Sequence, residues 1–341
     1  GVRSMVHAIR IHETGGPDVL RLDEIPTPEA GPGQVLVKAH SIGIGIADQL
    51  VRTGRYPWMP PLPAIPGIEM SGTVAATGAG VTALREGDPV VVSAVPERNC
   101  YAEYLAIDAR WAFACPTGFN LGIAGCLMNY RVAYRILHAA ARVRAGDTIA
   151  IVGAAGGVGS ALLQLANAAD MVTVALVRSS AKAAFASDQG ADHVIDTSRE
   201  DPHARIQEIT GGRGVDLVVD PVGGDGFTDR LDLLAPVGML VLYGMIDGLP
   251  GIDVFEAQAS RWARSPAVRL FSIHAYDAYP DITGADMALL MDMAAQGHID
   301  PVIHAELPLE MAREAHEMLD ANAIIGKVLL QPHRNEPHYA R

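Results

Sequence analysis

The sequence predicts an α/β protein, with a doubly wound parallel sheet joined to a smaller β-rich domain. Two patterns and one motif carry that prediction. Residues 5–125 hold short apolar strands at 6–11, 35–39, 73–77 and 90–93. The turn clusters Gly15-Gly16-Pro17, Gly31-Pro32-Gly33 and Glu86-Gly87-Asp88-Pro89 separate them. From about Leu127 the period changes. Apolar strands at 148–152, 172–177, 193–196, 217–220, 239–243 and 268–272 then alternate with helical patterns. Alternation at that spacing gives parallel strands joined by crossover helices. The motif lies at 149–160, Ile-Ala-Ile-Val-Gly-Ala-Ala-Gly-Gly-Val-Gly-Ser, where a β-branched run drops into glycines just before an apolar helix.

The remaining segments follow from the same signals. Residues 57–66 hold five prolines and read as an extended, semi-rigid loop. Residues 285–296 and 310–322 read as amphipathic helices and 326–330 as a closing strand, a segment expected to pack back on the first domain. Residues 331–341 show no periodicity and are expected to be disordered. Gly1-Val2-Arg3-Ser4, ahead of Met5, are expected to stand outside the fold.

A strand, a glycine turn and a helix N-terminus in that order form a phosphate-binding unit. Gly156 lets backbone approach a pyrophosphate, Gly159 allows the helix to pack on the strand, and the amides around Ala155, Gly157 and Val158 face the anion. The pattern is Ala-x-Gly-x-x-Gly, with Ala154 at the usual first glycine. After the second strand, an NAD-selective site carries an acid on the ribose hydroxyls. Arg178 stands there instead, followed by Ser179, Ser180 and Lys182, one of only three lysines in the chain. A guanidinium fork, hydroxyls and a point charge suit a ribose 2′-phosphate, so the expected cofactor is NADP.

Composition narrows the class further. A net charge of −13 argues against nucleic acid as a partner. No apolar run reaches membrane-spanning length and none reads as a signal segment, so a cytoplasmic location is expected. Cys100, Cys115 and Cys126 form no Cys-x-x-Cys pair and read as buried thiols of a reducing compartment.

Taken in chain order, several segments resemble the medium-chain dehydrogenase/reductase superfamily, and within it the zinc-free quinone oxidoreductase (zeta-crystallin-like) branch. They are Gly31-Pro32-Gly33-Gln34-Val35-Leu36-Val37, Asp48 through Tyr56-Pro57, Pro66-Gly67-Ile68-Glu69, Glu86-Gly87-Asp88-Pro89-Val90 and Tyr101-Ala102-Glu103-Tyr104. The glycine turn and Gly326-Lys327-Val328-Leu329-Leu330 complete the set. The resemblance implies a GroES-like catalytic domain from residues 5–125 and 267–341, and a Rossmann NADP-binding domain from 126–266. Zinc alcohol dehydrogenases of the superfamily place a Cys in the segment matching 41–48 and a His where Ile68 stands. This chain has neither, so no metal is expected. Without a Lewis acid, activated acceptors such as quinones and α,β-unsaturated carbonyls fit better than alcohols.

Site roles follow from the same resemblance. Tyr56 matches a tyrosine near the nicotinamide and is the candidate catalytic residue, donating a hydrogen bond to the acceptor carbonyl; the alternative is a loop tyrosine packing on the prolines. Asp48 either orients the nicotinamide ribose or caps a helix beginning near Gln49. Tyr134 matches the family's aromatic cofactor contact. Lys327 reaches the cofactor in some relatives, or is a solvated lysine at a strand start. Glu69 reads as a polar group held by backbone contacts. Val222, Gly244, Met245, Phe271 and Ser272 sit at carboxyl ends of strands, where open α/β sheets bind ligands. Gly45, Arg131 and Thr197 depart from the family, which has Asn, Thr and, in some relatives, Tyr there. The first two changes point to a bulkier or anionic acceptor.

The expected function is thus NADPH-dependent, metal-free hydride transfer to a quinone. Enone or enoyl-thioester reduction, and NADPH binding with little turnover, are the alternatives. The apolar edge strand at 268–272 and the family's habit predict a homodimer.

Overall fold

A computed structural model describes residues 3–95 and 98–340. Gly1 and Val2 of the leading segment lie outside that range, whereas the Ser4 carbonyl accepts the Thr27 amide at 3.0 Å, which corrects the expectation that this segment stands outside the fold. The chain divides into two compact units, Gly1–Met128 with His274–Arg341, and Asn129–Ile273.

The first unit opens with an antiparallel hairpin of β1 (Met5–Ile11) and β2 (Leu20–Pro26). Strand β3 (Gln34–Gly43) is the centre of its eight-stranded sheet. Val35, Val37, Ala39 and Ile42 are buried on β3, and each fully buried Val or Ile contributes roughly 1.5–3 kcal/mol. Helix α1 (Ile46–Arg52) follows, then β4 (Glu69–Thr77), β5 (Pro89–Ser93), β6 (Tyr104–Asp108), β7 (Ala112–Ala114) and the short α2 (Leu121–Ala124). Helix α3 (Leu127–Arg135) runs across the boundary into the second unit.

The second unit is a six-stranded parallel sheet. Its elements are β8 (Thr148–Val152), α4 (Gly157–Ala168), β9 (Val172–Val177), α5 (Ser180–Asp188), β10 (His193–Asp196), α6 (Pro202–Thr210), β11 (Val215–Asp220), β12 (Leu234–Leu242), α7 (Val254–Ala259) and β13 (Ala267–Leu270). The spatial order is β10-β9-β8-β11-β12-β13. The order reverses between β8 and β11, the switch point at which such sheets bind nucleotides.

The chain then returns to the first unit with α8 (Pro280–Ala295), β14 (Ile303–Pro308), α9 (Ala312–Asp320), β15 (Lys327–Gln331) and β16 (His338–Tyr339). Strand β15 joins β3 antiparallel. The terminal segment corrects the expectation of disorder. β16 pairs with β14, Arg334 Nη2 lies 3.0 Å from Glu306 Oε2, and His333 Nε2 lies 2.9 Å from the Ala39 carbonyl oxygen. Side-chain anchors hold this segment, and they leave no hydrophobic period to read.

Candidate active site

In the nucleotide unit, β8 ends at Val152 and Gly153 turns the chain in the left-handed region at φ 68°. Position 153, one residue before Ala154, therefore makes the tight turn. Gly156 begins α4 with no side-chain cap, so the first-turn amides of Gly157, Val158 and Gly159 keep their donors for an anion. A Cβ on Gly159 would lie 2.1 Å from the Gly153 carbonyl oxygen, so only glycine lets α4 sit against the turn. Ala155 is buried beside them.

Arg178 follows β9 directly and is exposed. Ser179 caps α5 by accepting the Lys182 amide at 3.2 Å. Burial and the Arg178 charge both lower the Lys182 pKa. An anion placed between the two cations would relieve that repulsion. On the neighbouring strand, Asp196 is in register with Val177, and its carboxylate accepts the amide and hydroxyl of Ser198 at 3.0 and 2.6 Å.

The loops after β11 and β12 are tied together. The Asp247 amide donates to the Val222 carbonyl at 2.8 Å, and a Cβ on Gly244 would lie 2.7 Å from the Pro221 carbonyl oxygen. Met245 is exposed on this loop. Buried Asp220 sets its shape, accepting the Val222 amide at 2.7 Å and Arg230 Nη1 at 2.9 Å. Phe271 and Ser272 lie just beyond β13, with the Phe271 amide bonded to the Leu242 carbonyl at 2.9 Å. Tyr134, on α3, has its ring 4.7 Å from that of His138. Arg131, also on α3, is 2% exposed.

In the first unit, Asp48 occupies the third position of α1, which begins three residues earlier than the sequence predicts because Gly45 is the cap. Its Oδ2 accepts the Gly45 amide and its Oδ1 the Gly67 amide, each at 3.0 Å. Burial pushes its pKa up to about 6, against the pull of the Gly45 amide and of Lys327, Tyr101 and Arg98. Gly67 has φ 103°, and a Cβ there would strike the Tyr101 ring at 2.6 Å.

Lys327 corrects the solvated alternative. It is buried, and its Nζ donates to Glu69 Oε2 at 2.7 Å. The other Glu69 oxygen accepts the Met128 amide at 3.1 Å. A Cβ on Gly45 would stand 3.8 Å from Lys327 Nζ, so glycine there leaves the face beside the lysine bare. Arg52, His316 and Tyr101 form a second buried chain. Arg52 Nη1 lies 2.8 Å from His316 Nδ1, and Tyr101 Oη lies 3.0 Å from His316 Nε2.

Tyr56, half-buried after α1, bonds through its hydroxyl to His274 Nε2. His274 Nδ1 lies 2.7 Å from Asp277 Oδ2. The Trp58 ring stacks on the imidazole at 3.9 Å, and the Arg98 guanidinium lies 4.5 Å above the Tyr56 ring. Burial raises the Tyr56 pKa, with Arg98 pulling the other way. Among the described residues, no three His, Cys, Asp or Glu side chains are grouped to hold a metal ion.

Residues 31–143 match the model of the alcohol dehydrogenase GroES-like domain, and 157–271 that of the zinc-binding dehydrogenase domain. The chain is 33% identical to the synaptic vesicle membrane protein VAT-1 homolog of Rattus norvegicus, with 93% of this chain and 82% of that protein covered. It superposes on Escherichia coli quinone oxidoreductase, solved in complex with NADPH, with a TM-score of 0.89 at 30% identity, covering 96% of this chain and 100% of that one. The chain belongs to the medium-chain dehydrogenase/reductase superfamily, in its zeta-crystallin-like branch. It is also 29% identical to 2-haloacrylate reductase from a Burkholderia species, covering 96% of this chain and 99% of that protein.

As an oxidoreductase of this superfamily, the chain carries its nucleotide-binding features in one unit and its candidate proton-handling groups in the other. Sequence reasoning missed His274, Asp277 and Arg98. The first two stand three apart on a turn, a spacing that was there to be read. Arg98 had no signal, because it reaches Tyr56 only through the fold.

Proposed function

We propose that this chain is an NADPH-dependent quinone reductase that works without metal as a cytoplasmic homodimer. The observation that carries the cofactor choice is the Arg178–Lys182 cation pair at the start of α5, where an NAD site would present an acid. The structural relative from Escherichia coli, solved with NADPH, supports the same choice. When bound, NADPH supplies the hydride. The protein's part is to orient the acceptor, exclude water and place a donor where negative charge grows on the acceptor oxygen. Tyr56 is that donor. Asp48, Lys327 and Tyr134, with the glycine-turn residues 155–159, Arg178, Ser179, Lys182, Val222, Gly244, Met245, Phe271 and Ser272, are proposed as cofactor contacts.

Reduction of an α,β-unsaturated carbonyl is the second reading. It is favoured by the hydrogen-bonded Tyr56 and by the likeness to 2-haloacrylate reductase, whose named substrate has a conjugated double bond. The test follows NADPH consumption with menadione, benzoquinone, cyclohexenone and 2-chloroacrylate. Faster turnover of the quinones supports the first reading, and faster turnover of the conjugated acceptors the second. NADPH binding without turnover of any acceptor would reduce the chain to a binding protein.

A further inference from the structure

We propose that His274 and Asp277 are positioning residues for Tyr56: His274 reloads the phenol with a proton, and Asp277 holds the imidazole in the tautomer that does so. The proposal rests on the reductase reading above and names residues that the sequence left without a role.

The geometry fixes the direction of this Asp277–His274–Tyr56 chain. A carboxylate only accepts hydrogen bonds, so the 2.7 Å contact with Asp277 Oδ2 puts a hydrogen on His274 Nδ1. Nε2 then faces the Tyr56 hydroxyl in two protonation states. A neutral imidazole accepts the phenol's hydrogen there. An imidazolium donates instead, which frees that hydrogen for an acceptor oxygen. The His274 side chain is 8% exposed and that of Asp277 is 27% exposed, so the histidine is held while the carboxylate keeps contact with water. Trp58 stacks on the imidazole and fixes its plane. The groups around Tyr56 are Arg98 above its ring and the charges of Asp48 and Asp277, which act in the opposite sense. Arg98 Nη1 is buried with no hydrogen-bond partner among the described residues, which leaves its charge available to a nascent phenolate.

The proton balance closes. The β-carbon of a conjugated ketone takes hydride from NADPH, and the double-bond pair moves to the carbonyl oxygen as an enolate. The Tyr56 O–H bond breaks as its proton passes to that oxygen. The phenolate takes the Nε2 proton of the His274 imidazolium, and the neutral imidazole is reprotonated from water. Asp277 keeps its hydrogen bond to Nδ1 throughout. The products are NADP⁺ and an enol, which tautomerises in solution. Menadione has less need of this chain, because its reduced form is a more stable anion.

The experiment compares wild type with His274→Gln, Asp277→Asn, Tyr56→Phe and the double variant Tyr56→Phe/His274→Gln. It measures kcat and KM for cyclohexenone and menadione from acid to alkaline pH, and NADPH affinity by fluorescence. Wild-type kcat with cyclohexenone should fall on the alkaline side, where the imidazolium is lost. His274→Gln should lower kcat about 10- to 100-fold and flatten that limb, with smaller effects on menadione and on KM. Asp277→Asn keeps the imidazole but removes the neighbouring charge, so the limb should move to lower pH. The double variant should be no slower than Tyr56→Phe alone. Additive losses in the double variant, or an unmoved limb in Asp277→Asn, would overturn the chain while leaving the reductase reading intact. Wild type that binds NADPH but reduces neither acceptor would overturn both.

Discussion

Lys327 Nζ lies 2.7 Å from Glu69 Oε2, and the two side chains are only 5% and 4% exposed. The pair joins the first residue of β15 to the first residue of β4, 258 positions apart in sequence. Strand β3 lies between those strands, and its last residue, Gly43, leaves the room: a Cβ there would be 2.7 Å from Glu69 Cδ. Removing one partner strands a buried charge, at a cost of about 3–5 kcal/mol. Lys327→Met should therefore lower the urea midpoint sharply, whereas Lys327→Met with Glu69→Gln should recover much of the loss. Equal midpoints for the single and double variants would show that the ion pair does not act as a unit.

Arg178 is the cheapest test of cofactor choice. Its exposed guanidinium follows β9 and repels Lys182, so a 2′-phosphate would gain from both. Arg178→Ala should weaken NADPH by roughly 10- to 100-fold and NADH much less, as expected for loss of a charge-assisted hydrogen bond. Titration of both cofactors by fluorescence decides it. Wild type that binds the two equally would sink the assignment.

The sequence made the parallel sheet legible because its inner strands β8, β9 and β11 are buried on both faces and read as apolar runs. The first unit was harder. Strand β4 starts at Glu69, four residues before the period becomes visible, because Glu69, Ser71 and Gly72 interrupt the alternation. Glu69 and Ser71 are buried by pairing, with Lys327 and with the Leu121 carbonyl oxygen, and pairing leaves no hydrophobic signature. The same physics hid the Tyr56–His274 contact, whose partners stand 218 residues apart. Spacing along the chain reveals local chemistry such as the glycine turn, but not side chains that meet only through topology.

The edge strand β13 predicts association. Leu270 on it is 72% exposed, and within the same unit Leu249, Phe255 and Trp262 are 69%, 73% and 75% exposed. Exposed large apolar side chains on one unit, together with an unpaired strand edge, favour a cover. Light scattering at micromolar concentration should give the mass of a dimer, and Leu270→Asp should shift it towards monomer. A monomeric wild type would refute the pairing.

Zinc should be absent from the purified protein. Ile68 offers no ligand where the zinc enzymes place histidine, and residues 41–48 contain no cysteine. Elemental analysis should find well below one equivalent per chain, and chelators should leave activity unchanged. Stoichiometric zinc together with loss of activity to a chelator would reverse the conclusion.

Asp48 gives the stability of the first unit a specific pH dependence. Burial raises its pKa from 3.8 to about 6 in the fold. Its stabilising contribution is therefore fully present below 3.8, where both states are protonated, and is lost as pH rises through about 6, where the folded protein must hold a buried carboxylate. His316 acts in the opposite sense: burial and Arg52 hold it down at about 3, so its contribution is lost as pH falls below 6.5. A direct comparison with Asp48→Asn cancels His316, which is the same in both proteins. Asparagine cannot ionise, and its amide nitrogen cannot accept from either Gly45 or Gly67, so the variant loses one hydrogen bond at every pH. Between about pH 7.5 and 4, wild type should gain about 2–3 kcal/mol relative to the variant, following the two-unit rise in pKa. Urea unfolding at a series of pH values measures the difference. A constant gap across that window would mean that Asp48 is ionised in the fold with an ordinary pKa, and that Lys327 and Arg98 fully offset its burial.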